Sequence, residues 1–328
     1  MNELTELLTK TPNPNTGKTR AASTSKNYIL NVNKLAKALT SHGVALNNLE
    51  FLKDHAQVTA YIHANYKIKT QKNYFIAVSA LLQSIKDDSY IPANSAYLSE
   101  ITHLVEQINN TEVLQEKSAT QAQNWTTFKK LQKVPRDYHK YLNGKGVFKK
   151  TYEDLSVNEK KILKYWLISS LYTSDGNPPV RANYAPMKII TNTKYDSLSE
   201  EEKHHNYLIL SKKSKMFYFG LFKNVSYHGA QTVSVAKKLN TVLNKYLKMF
   251  KEPPEYLIQS VGSKPVDGIS LAANMHKVFE PTGKHITINL LRHVYVTENL
   301  SGPFLDEKKE MADKMMHDVS MQDKYRVK

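Results

Sequence analysis

In the first third of the chain, apolar residues recur every three or four positions, which is the spacing of helices with one buried face. The capping residues Ser23–Ser25 precede one such stretch, and Gly43 follows it. A second stretch begins at about Thr70, and a third covers residues 98–108. This pattern predicts a small, wholly helical domain of four or five helices over residues 23–110.

Two segments beside this domain lack the helical spacing. Residues 1–22 are rich in Thr, Asn, Pro and Lys, and we predict that they form a flexible basic arm. Residues 111–124 are polar without a clear apolar face, and we predict a linker there, although Val113 and Leu114 could extend the preceding helix. The remaining residues, 125–328, form a second predicted domain.

The second domain mixes helical and strand-like patterns. An apolar helix is predicted over residues 157–173, and the turn sequence Asp175–Pro179 follows it. The strand-like segments that come next are Met187–Thr191, Tyr207–Leu210, Met216–Phe222 and Thr232–Val235. The helices predicted after them are Leu239–Phe250, Ser270–Phe279, Thr287–Leu300 and about Leu305–Met316. We therefore predict a mainly α fold with a small antiparallel β-sheet.

The composition limits the possible partners of this chain. It has 46 lysines and arginines against 30 acidic residues, a net charge of +16. A field of this sign attracts polyanions, so DNA or RNA is the first candidate and an anionic membrane surface the second. No apolar run approaches the ~18–20 residues of a membrane-spanning helix, and the polar, acidic start is not typical of a secretory signal. Because there are no cysteines, disulfides and a thiol nucleophile are excluded.

A basic stretch opens the second domain. Eight lysines and arginines lie between residues 129 and 150, interleaved with aromatic residues. A solvated charged face is the simplest interpretation, but the overall charge favours contact with phosphates. The predicted DNA contacts are Lys69, Lys72, Lys129, Lys130 and Lys133.

Candidate chemistry is concentrated near the C-terminus. Arg292 lies on a predicted helix that Thr287 can cap, His317 ends the next helix, and Tyr325 follows about two turns later. Arginine presents a planar fork of donors to two phosphate oxygens, and a phenol can act as a nucleophile. Taken singly, each residue has an ordinary alternative, such as an ion-paired arginine or a packed aromatic ring. Their order favours attack on a phosphodiester.

Three more residues extend this set. Arg181 follows two prolines and precedes the first strand, and Asn289 lies three residues before Arg292 on one helix. Lys223 is predicted to end the third strand and to begin a turn at a hairpin tip, where it could reach into a DNA groove. The sequence does not fully separate Lys223 from its rivals, which are Lys212, Lys213 and Lys215.

This order of residues resembles the active-site pattern of the tyrosine recombinases. The resemblance covers about residues 23–325. Ser25–Tyr28 and Thr70–Ala80 look like the two marker helices of the core-binding, SAM-like domain in phage-integrase, Xer and Cre-like recombinases. The sequence around Arg181 looks most like that of integrases from large DNA viruses and virophages.

The resemblance implies a site-specific recombinase or integrase that cleaves and rejoins DNA through a 3′-phosphotyrosine, without metal, cofactor or ATP. It implies that Arg181 and Arg292 clamp the scissile phosphate. Lys223 would protonate the leaving 5′ oxygen, His317 would donate to a non-bridging oxygen, and Tyr325 would be the nucleophile. The implied partners are double-stranded DNA and further copies of the chain, as a dimer or tetramer on DNA. We expect no membrane association and an intracellular location with DNA, in a nucleus, viral factory, virion or bacterial cytoplasm.

The sequence departs from the family pattern at three points. Asn289 stands where the family usually has histidine, and asparagine can donate to a phosphate oxygen but cannot act as a base. Tyr184 stands where an acidic residue is frequent. Three residues follow Tyr325 where many relatives have a helix that docks on a neighbouring protomer, so that mode of assembly is not expected unless the chain has been truncated. Two alternatives stay open: a type IB topoisomerase, which shares the catalytic residues, and a DNA-binding protein that has lost catalysis.

Overall fold

The computed structural model describes residues 3–14, 16–211, 214–260, 262–299 and 305–327. The chain divides into two compact units, Met1–Leu114 and Gln115–Lys328. Within the described ranges, no helix has both the length and the apolar character needed to cross a bilayer.

The first unit is helical. Its helices are α1 (Glu3–Lys10), α2 (Ala22–Thr40), α3 (His55–Asn65), α4 (Ile68–Ile85) and α5 (Ile91–Val113). The three stretches of helical spacing in the sequence correspond to α2, α4 and α5. Helix α4 packs against both α2 and α5, and Phe75, Val78 and Leu81 on it are fully buried.

The prediction of a flexible arm over residues 1–22 is wrong for helix α1. Leu4 and Leu8, one turn apart, are fully buried in the core of the first unit, and α1 packs against α2 and α4. A helix of eight residues is marginal by itself, so tertiary packing stabilises it. Three leucines in a polar segment were too weak a pattern to predict it.

The segment predicted as a linker contains helical structure. Helix α5 continues to Val113, and α6 covers Ala119–Asn124. Ser118 and Gln121 form a capping box at the start of α6: each side chain accepts a hydrogen bond from the backbone N–H of the other residue. The boundary between the two units lies inside the segment, after Leu114.

In its described residues the second unit is mainly helical with a small sheet, so the predicted mainly α fold is confirmed. Its remaining helices are α7 (Phe128–Gly144), α8 (Val157–Thr173), α9 (Asn192–Asp196), α10 (Val225–His228), α11 (Lys237–Leu247), α12 (Gly268–Val278), α13 (Ile288–Asn299), α14 (Leu305–Lys314) and α15 (Ser320–Tyr325). Its strands are β1 (Lys188–Thr191), β2 (Asn206–Leu210), β3 (Lys215–Phe219) and β4 (Gln231–Ser234). Helix α8 is buried along most of its length because α7, α11 and α12 pack around it.

The sheet is mixed, so the antiparallel prediction was wrong for its first strand. The strand order is β1-β2-β3-β4. Strand β1 pairs with β2 in parallel, with Lys188 opposite Tyr207, whereas the other two pairs are antiparallel. Parallel neighbours need a crossover of about a dozen residues or more. The segment between β1 and β2, which contains α9, provides that length.

Strand β3 ends at Phe219, three residues before the predicted end. The backbone N–H of Gly220 donates to the carbonyl of His205 at 3.1 Å. A Cβ atom at Gly220 would lie 1.9 Å from the carbonyl oxygen of Lys203, so only glycine fits there. Beyond it, residues 220–230 form a loop that contains Lys223 and α10, so Lys223 is not at a tight hairpin tip.

Candidate active site

Arg292 is an almost fully buried arginine on α13. Thr287 caps this helix, as predicted: its hydroxyl accepts a hydrogen bond from the backbone N–H of Leu290 at 3.1 Å. Leu291 and Val294 are fully buried, and Arg292 between them is only 1% exposed. The packing of α13 therefore places a guanidinium group inside the second unit.

The guanidinium of Arg292 is only partly satisfied. Its Nη2 donates to Nδ1 of His317 at 2.7 Å, and its central carbon lies 4.6 Å from the centroid of the Tyr325 ring. Nε and Nη1 are buried and have no partner with hydrogen-bond geometry among the described residues, although the Tyr325 side chain interacts with the charged guanidinium. A buried donor without an acceptor costs about 1–3 kcal/mol, and more when it is charged. The two free donors thus form a site for an anion.

Arg292 keeps its charge at neutral pH. Burial lowers the pKa of Arg292 to about 10, while Tyr325 opposes that shift and the charge of Arg181 adds to it. An arginine with this pKa is almost fully protonated at pH 7. The site therefore holds a positive charge that water does not screen.

The end of α14 determines the position of His317. The backbone N–H of Met316 donates to the carbonyl of Asp313, and that of His317 donates to Ala312, both at 3.1 Å. This is a Schellman motif, in which Met316 takes the left-handed conformation with φ 52°. A residue other than glycine is uncommon there. The buried Met316 side chain, 2% exposed, holds this turn in the core.

The hydrogen bonds of His317 define its tautomer. A guanidinium can only donate, so Nδ1 of His317 accepts from Arg292, and the ring proton must be on Nε2. Nε2 lies 2.9 Å from the amide nitrogen of Gln322, whereas the buried amide oxygen of Gln322 has no partner among the described residues. A half-turn of that amide lets Nε2–H donate to its oxygen and satisfies both groups.

His317 is neutral in this arrangement. Burial, together with the charges of Arg292 and Arg181, lowers the pKa of His317 to about 3. Both ring nitrogens are engaged inside the protein. The predicted donation to a phosphate oxygen would therefore require His317 to release Gln322.

Tyr325 ends α15 and covers Arg292. It is 5% exposed, and its ring stacks on His317 at 5.2 Å and meets the edge of His293 at 4.9 Å. Nδ1 of His293 donates to the carbonyl of Tyr325 at 2.9 Å. The backbone N–H of Val327 donates to the hydroxyl of Thr297 at 3.1 Å. These contacts place the tyrosine against the arginine of the same chain.

Arg181 approaches the same place from another part of the chain. Its backbone carbonyl accepts a hydrogen bond from the hydroxyl of Tyr172 at 2.8 Å. Its Nη1 lies 3.5 Å from the carbonyl of Met316, next to His317. Tyr184, which stands where the family often has an acid, is 1% exposed and accepts a hydrogen bond from Asn177 at 2.9 Å. Tyr184 therefore fills the core behind Arg181.

Among the described residues, no hydrogen bond or ion pair joins the side chain of Asn289 or Lys223 to these four residues. Asn289 is exposed in the first turn of α13, and Lys223 is exposed in the loop after β3. Neither side chain forms a hydrogen bond to another residue in the described part of the chain. Their predicted roles stay predictions.

The rival lysines follow β2 in the sequence. Lys212 and Lys213 are outside the described residues. Nζ of Lys215 donates to the side-chain oxygens of Asn240, at 3.1 Å, and Asn244 on α11. Burial lowers the pKa of Lys215. Lys215 is therefore held on α11.

Three residues near the site were not among the predicted site residues. Gln322, fully buried, contacts His317, and His293 holds the backbone of Tyr325. Gln322 lies three residues before Tyr325, and this helical spacing could have indicated it. His228 on α10 contributes electrostatically to the lowered pKa of His317, but no local pattern links residues so far apart in sequence.

The predicted DNA-contacting lysines differ in their surroundings. Lys69 forms a salt bridge with Glu112 at 2.9 Å, and Lys72 on the same helix is partly buried. Lys129, Lys130 and Lys133 are exposed on α7. The α7 lysines are the better placed of the five to meet a phosphate backbone.

No protein-family model matches this sequence, and no curated protein matches it. Among solved structures, the chain is similar to the crystal structure of XerA recombinase. The identity is 14% over 99% of this chain and 93% of that chain, with a TM-score of 0.36. The function is therefore inferred from the residues of the site and not from this similarity.

Proposed function

We propose that this protein is a site-specific tyrosine recombinase that cleaves and rejoins DNA through a 3′-phosphotyrosine. The observation that carries the proposal is the proximity of four side chains, those of Arg181, Arg292, His317 and Tyr325. Arg181 contacts the carbonyl of Met316, which is 135 positions away in the sequence and directly precedes His317. The two buried donors of Arg292 that have no partner among the described residues favour an anionic substrate.

In the proposed cleavage step, Oη of Tyr325 attacks the scissile phosphorus. The O–P bond to tyrosine forms while the bond to the 5′ oxygen breaks. Water takes the phenolic proton, and Lys223 gives a proton to the leaving oxygen. Negative charge that develops on the phosphate oxygens is stabilised by Arg292 Nε and Nη1 and by Arg181.

Rejoining reverses these steps. A 5′ hydroxyl attacks the phosphotyrosine, and the tyrosine leaves with a proton. The covalent intermediate keeps one phosphodiester linkage for each linkage broken, so ATP is not needed. A hydroxyl from a second duplex gives recombination, and the original strand's hydroxyl gives relaxation. The proposal includes assembly of several protomers on paired DNA sites inside the cell.

The described arrangement must open before cleavage. Arg292 and His317 are each 1% exposed and Tyr325 is 5% exposed, so a DNA phosphate cannot reach the free donors of Arg292 past the tyrosine ring. Helix α15 has six residues, too few to be stable without its packing partners. We propose that the DNA phosphate displaces the ring from the guanidinium and that α15 moves with it.

The test begins with selection of duplexes that the protein binds from a random pool. The selected sequence is then built into a nicked suicide substrate, from which the cleaved strand end diffuses away. We expect an adduct that survives denaturation in the parent and is absent in Tyr325→Phe. Bound duplexes that give no adduct with the parent would refute cleavage and favour a DNA-binding protein without catalysis.

A second assay separates recombination from relaxation. Plasmids that carry two copies of the selected site should yield recombinant products with the parent protein. A supercoiled plasmid with one site reports relaxation. Relaxation without recombinants would favour the topoisomerase-like alternative.

A further inference from the structure

A cavity of about 470 Å³ lies between α7, α8 and α11 of the second unit. Its apolar wall is formed by Pro135, Trp166 and Val242, one residue from each helix. The four residues of the candidate active site do not line it. The cavity is therefore a separate feature of the same unit.

The polar rim of this cavity is cationic. Arg136, Lys238 and Lys245 line it together with one carboxylate, Asp175. Nζ of Lys245 donates to Nε2 of His139 at 2.8 Å, which requires that nitrogen to be unprotonated. Three cations against one carboxylate leave an excess of two positive charges around an apolar wall.

The three cationic side chains of the rim differ in their partners. Lys238 and Gln132 both contact the carboxylate of Asp175. Lys245 has a neutral imidazole as its partner and lies 4.1 Å from the ring centroid of Phe148. Nε of Arg136 donates to the carbonyl of Gln132 at 3.0 Å. An incoming anion could therefore replace Asp175 at Lys238 while Gln132 still contacts the carboxylate.

We propose that this cavity binds a nucleoside monophosphate, with the base on Pro135, Trp166 and Val242 and the phosphate on the cationic rim. Ligand cavities commonly measure about 300–1,000 Å³ and combine an apolar lining with a few polar groups. Lysine and arginine are the usual phosphate-binding side chains. The occupant is either a free nucleotide or an unpaired nucleotide of a DNA strand.

Trp166 provides the readout. The chain has two tryptophans, so Trp125→Phe leaves Trp166 as the only one. Titration of this protein with dAMP should give a saturable change in fluorescence. Deoxyadenosine lacks the phosphate and inorganic phosphate lacks the base, and each should bind about tenfold or more weakly, as expected when charge-assisted hydrogen bonds or apolar contacts are lost.

Neighbouring lysines on α11 give a matched pair of variants. Lys238→Ala should weaken dAMP binding about tenfold. Lys237→Ala removes the same charge from an exposed residue that does not line the cavity, and it should change affinity less than about twofold. Asp175→Asn removes the competing carboxylate and should strengthen binding. Val242→Phe fills the apolar wall without changing charge and should abolish binding.

The source of the nucleotide is distinguished by comparing dAMP, a blunt duplex and a duplex with a single-stranded overhang. A response to the overhang that depends on Lys238 would identify a DNA strand as the occupant. A response to dAMP alone would identify a free nucleotide. No saturable change with any probe, or equal losses in Lys237→Ala and Lys238→Ala, would overturn the proposal. Thermal unfolding of each variant checks that it is folded at the assay temperature.

Discussion

Lowering the pH should destabilise the second unit through His317, because this histidine is held neutral in the folded protein. Nδ1 of His317 accepts a hydrogen bond from Arg292 at 2.7 Å. A proton on Nδ1 would place its N–H opposite the N–H of Arg292 and would put a positive imidazolium beside the positive guanidinium. Burial, together with the charges of Arg292 and Arg181, lowers the pKa of His317 from 6.5 to about 3.

The direction of the effect follows from proton binding in the two states. Well above pH 6.5, His317 is neutral in both the folded and the unfolded chain and adds no pH dependence. Below this pH the unfolded chain binds a proton that the folded chain does not. The free energy of unfolding therefore falls by up to about 1.4 kcal/mol per pH unit, until the pH nears the folded pKa. By pH 5 the loss amounts to about 2 kcal/mol.

The assay is urea unfolding between pH 8 and pH 5. Tryptophan fluorescence monitors the unfolding, because Trp125 and Trp166 both lie in the second unit. Burial also lowers the pKa of His139, which adds its own pH dependence to unfolding. The effect of His317 is therefore the difference in unfolding free energy between the parent and a His317 variant. In His317→Gln the amide oxygen can accept from Arg292 and does not titrate. We expect the parent to lose about 2 kcal/mol more than this variant by pH 5.

The exposed His205 in the same unit provides the control, and His205→Gln should keep the pH profile of the parent. Equal pH dependence in the parent and His317→Gln would refute the reasoning. It would mean that His317 takes up a proton in the folded state and does not accept a hydrogen bond from Arg292.

Four predictions concern the proposed reaction. Tyr325→Phe should abolish covalent adducts and change DNA affinity little, because the hydroxyl is a small part of a charged interface; a normal adduct yield in gel assays would exclude Tyr325 as nucleophile. Arg181→Lys and Arg292→Lys keep the charge but lose the planar fork, and cleavage rates should fall by on the order of 10²–10³; rates within about twofold of the parent would make these arginines structural. DNA affinity should fall steeply with salt, with a log–log slope of about −0.9 per neutralised phosphate, and a slope near zero in binding titrations would contradict the DNA interface. A substrate with a 5′-bridging sulfur needs no proton on leaving, so it should restore cleavage by Lys223→Ala but not by Arg292→Ala; restoration of Lys215→Ala instead would move the general acid to β3.

Local pattern was enough to predict most helices. The stretches that became α2, α4 and α8 show regular apolar spacing or an apolar run over more than a dozen residues, and a helix depends mainly on such local order. The cap at Thr287 was also readable, because a threonine hydroxyl acts within three residues of itself. The mainly α fold follows from these elements.

Strand pairing, the end of strand β3 and the existence of helix α1 depend on tertiary contacts that cannot be read from the sequence. Helix α1 exists because Leu4 and Leu8 enter a core formed by other helices. The parallel pairing of β1 depends on the path of the chain between β1 and β2, not on the strand residues. Strand β3 stops where Gly220 meets the backbone carbonyl of Lys203.

For the candidate site, too, some features could be predicted from the sequence and others depended on the tertiary structure. The sequence by itself determined which residue types are present and in what order, and this was enough to propose phosphodiester chemistry at Arg181, Arg292, His317 and Tyr325. Only the tertiary structure decided that Tyr325 covers Arg292 and that His317 is neutral, with both ring nitrogens engaged. The reason is that burial and hydrogen bonding between distant segments set a side chain's charge and access, and neither can be read from neighbours in the chain.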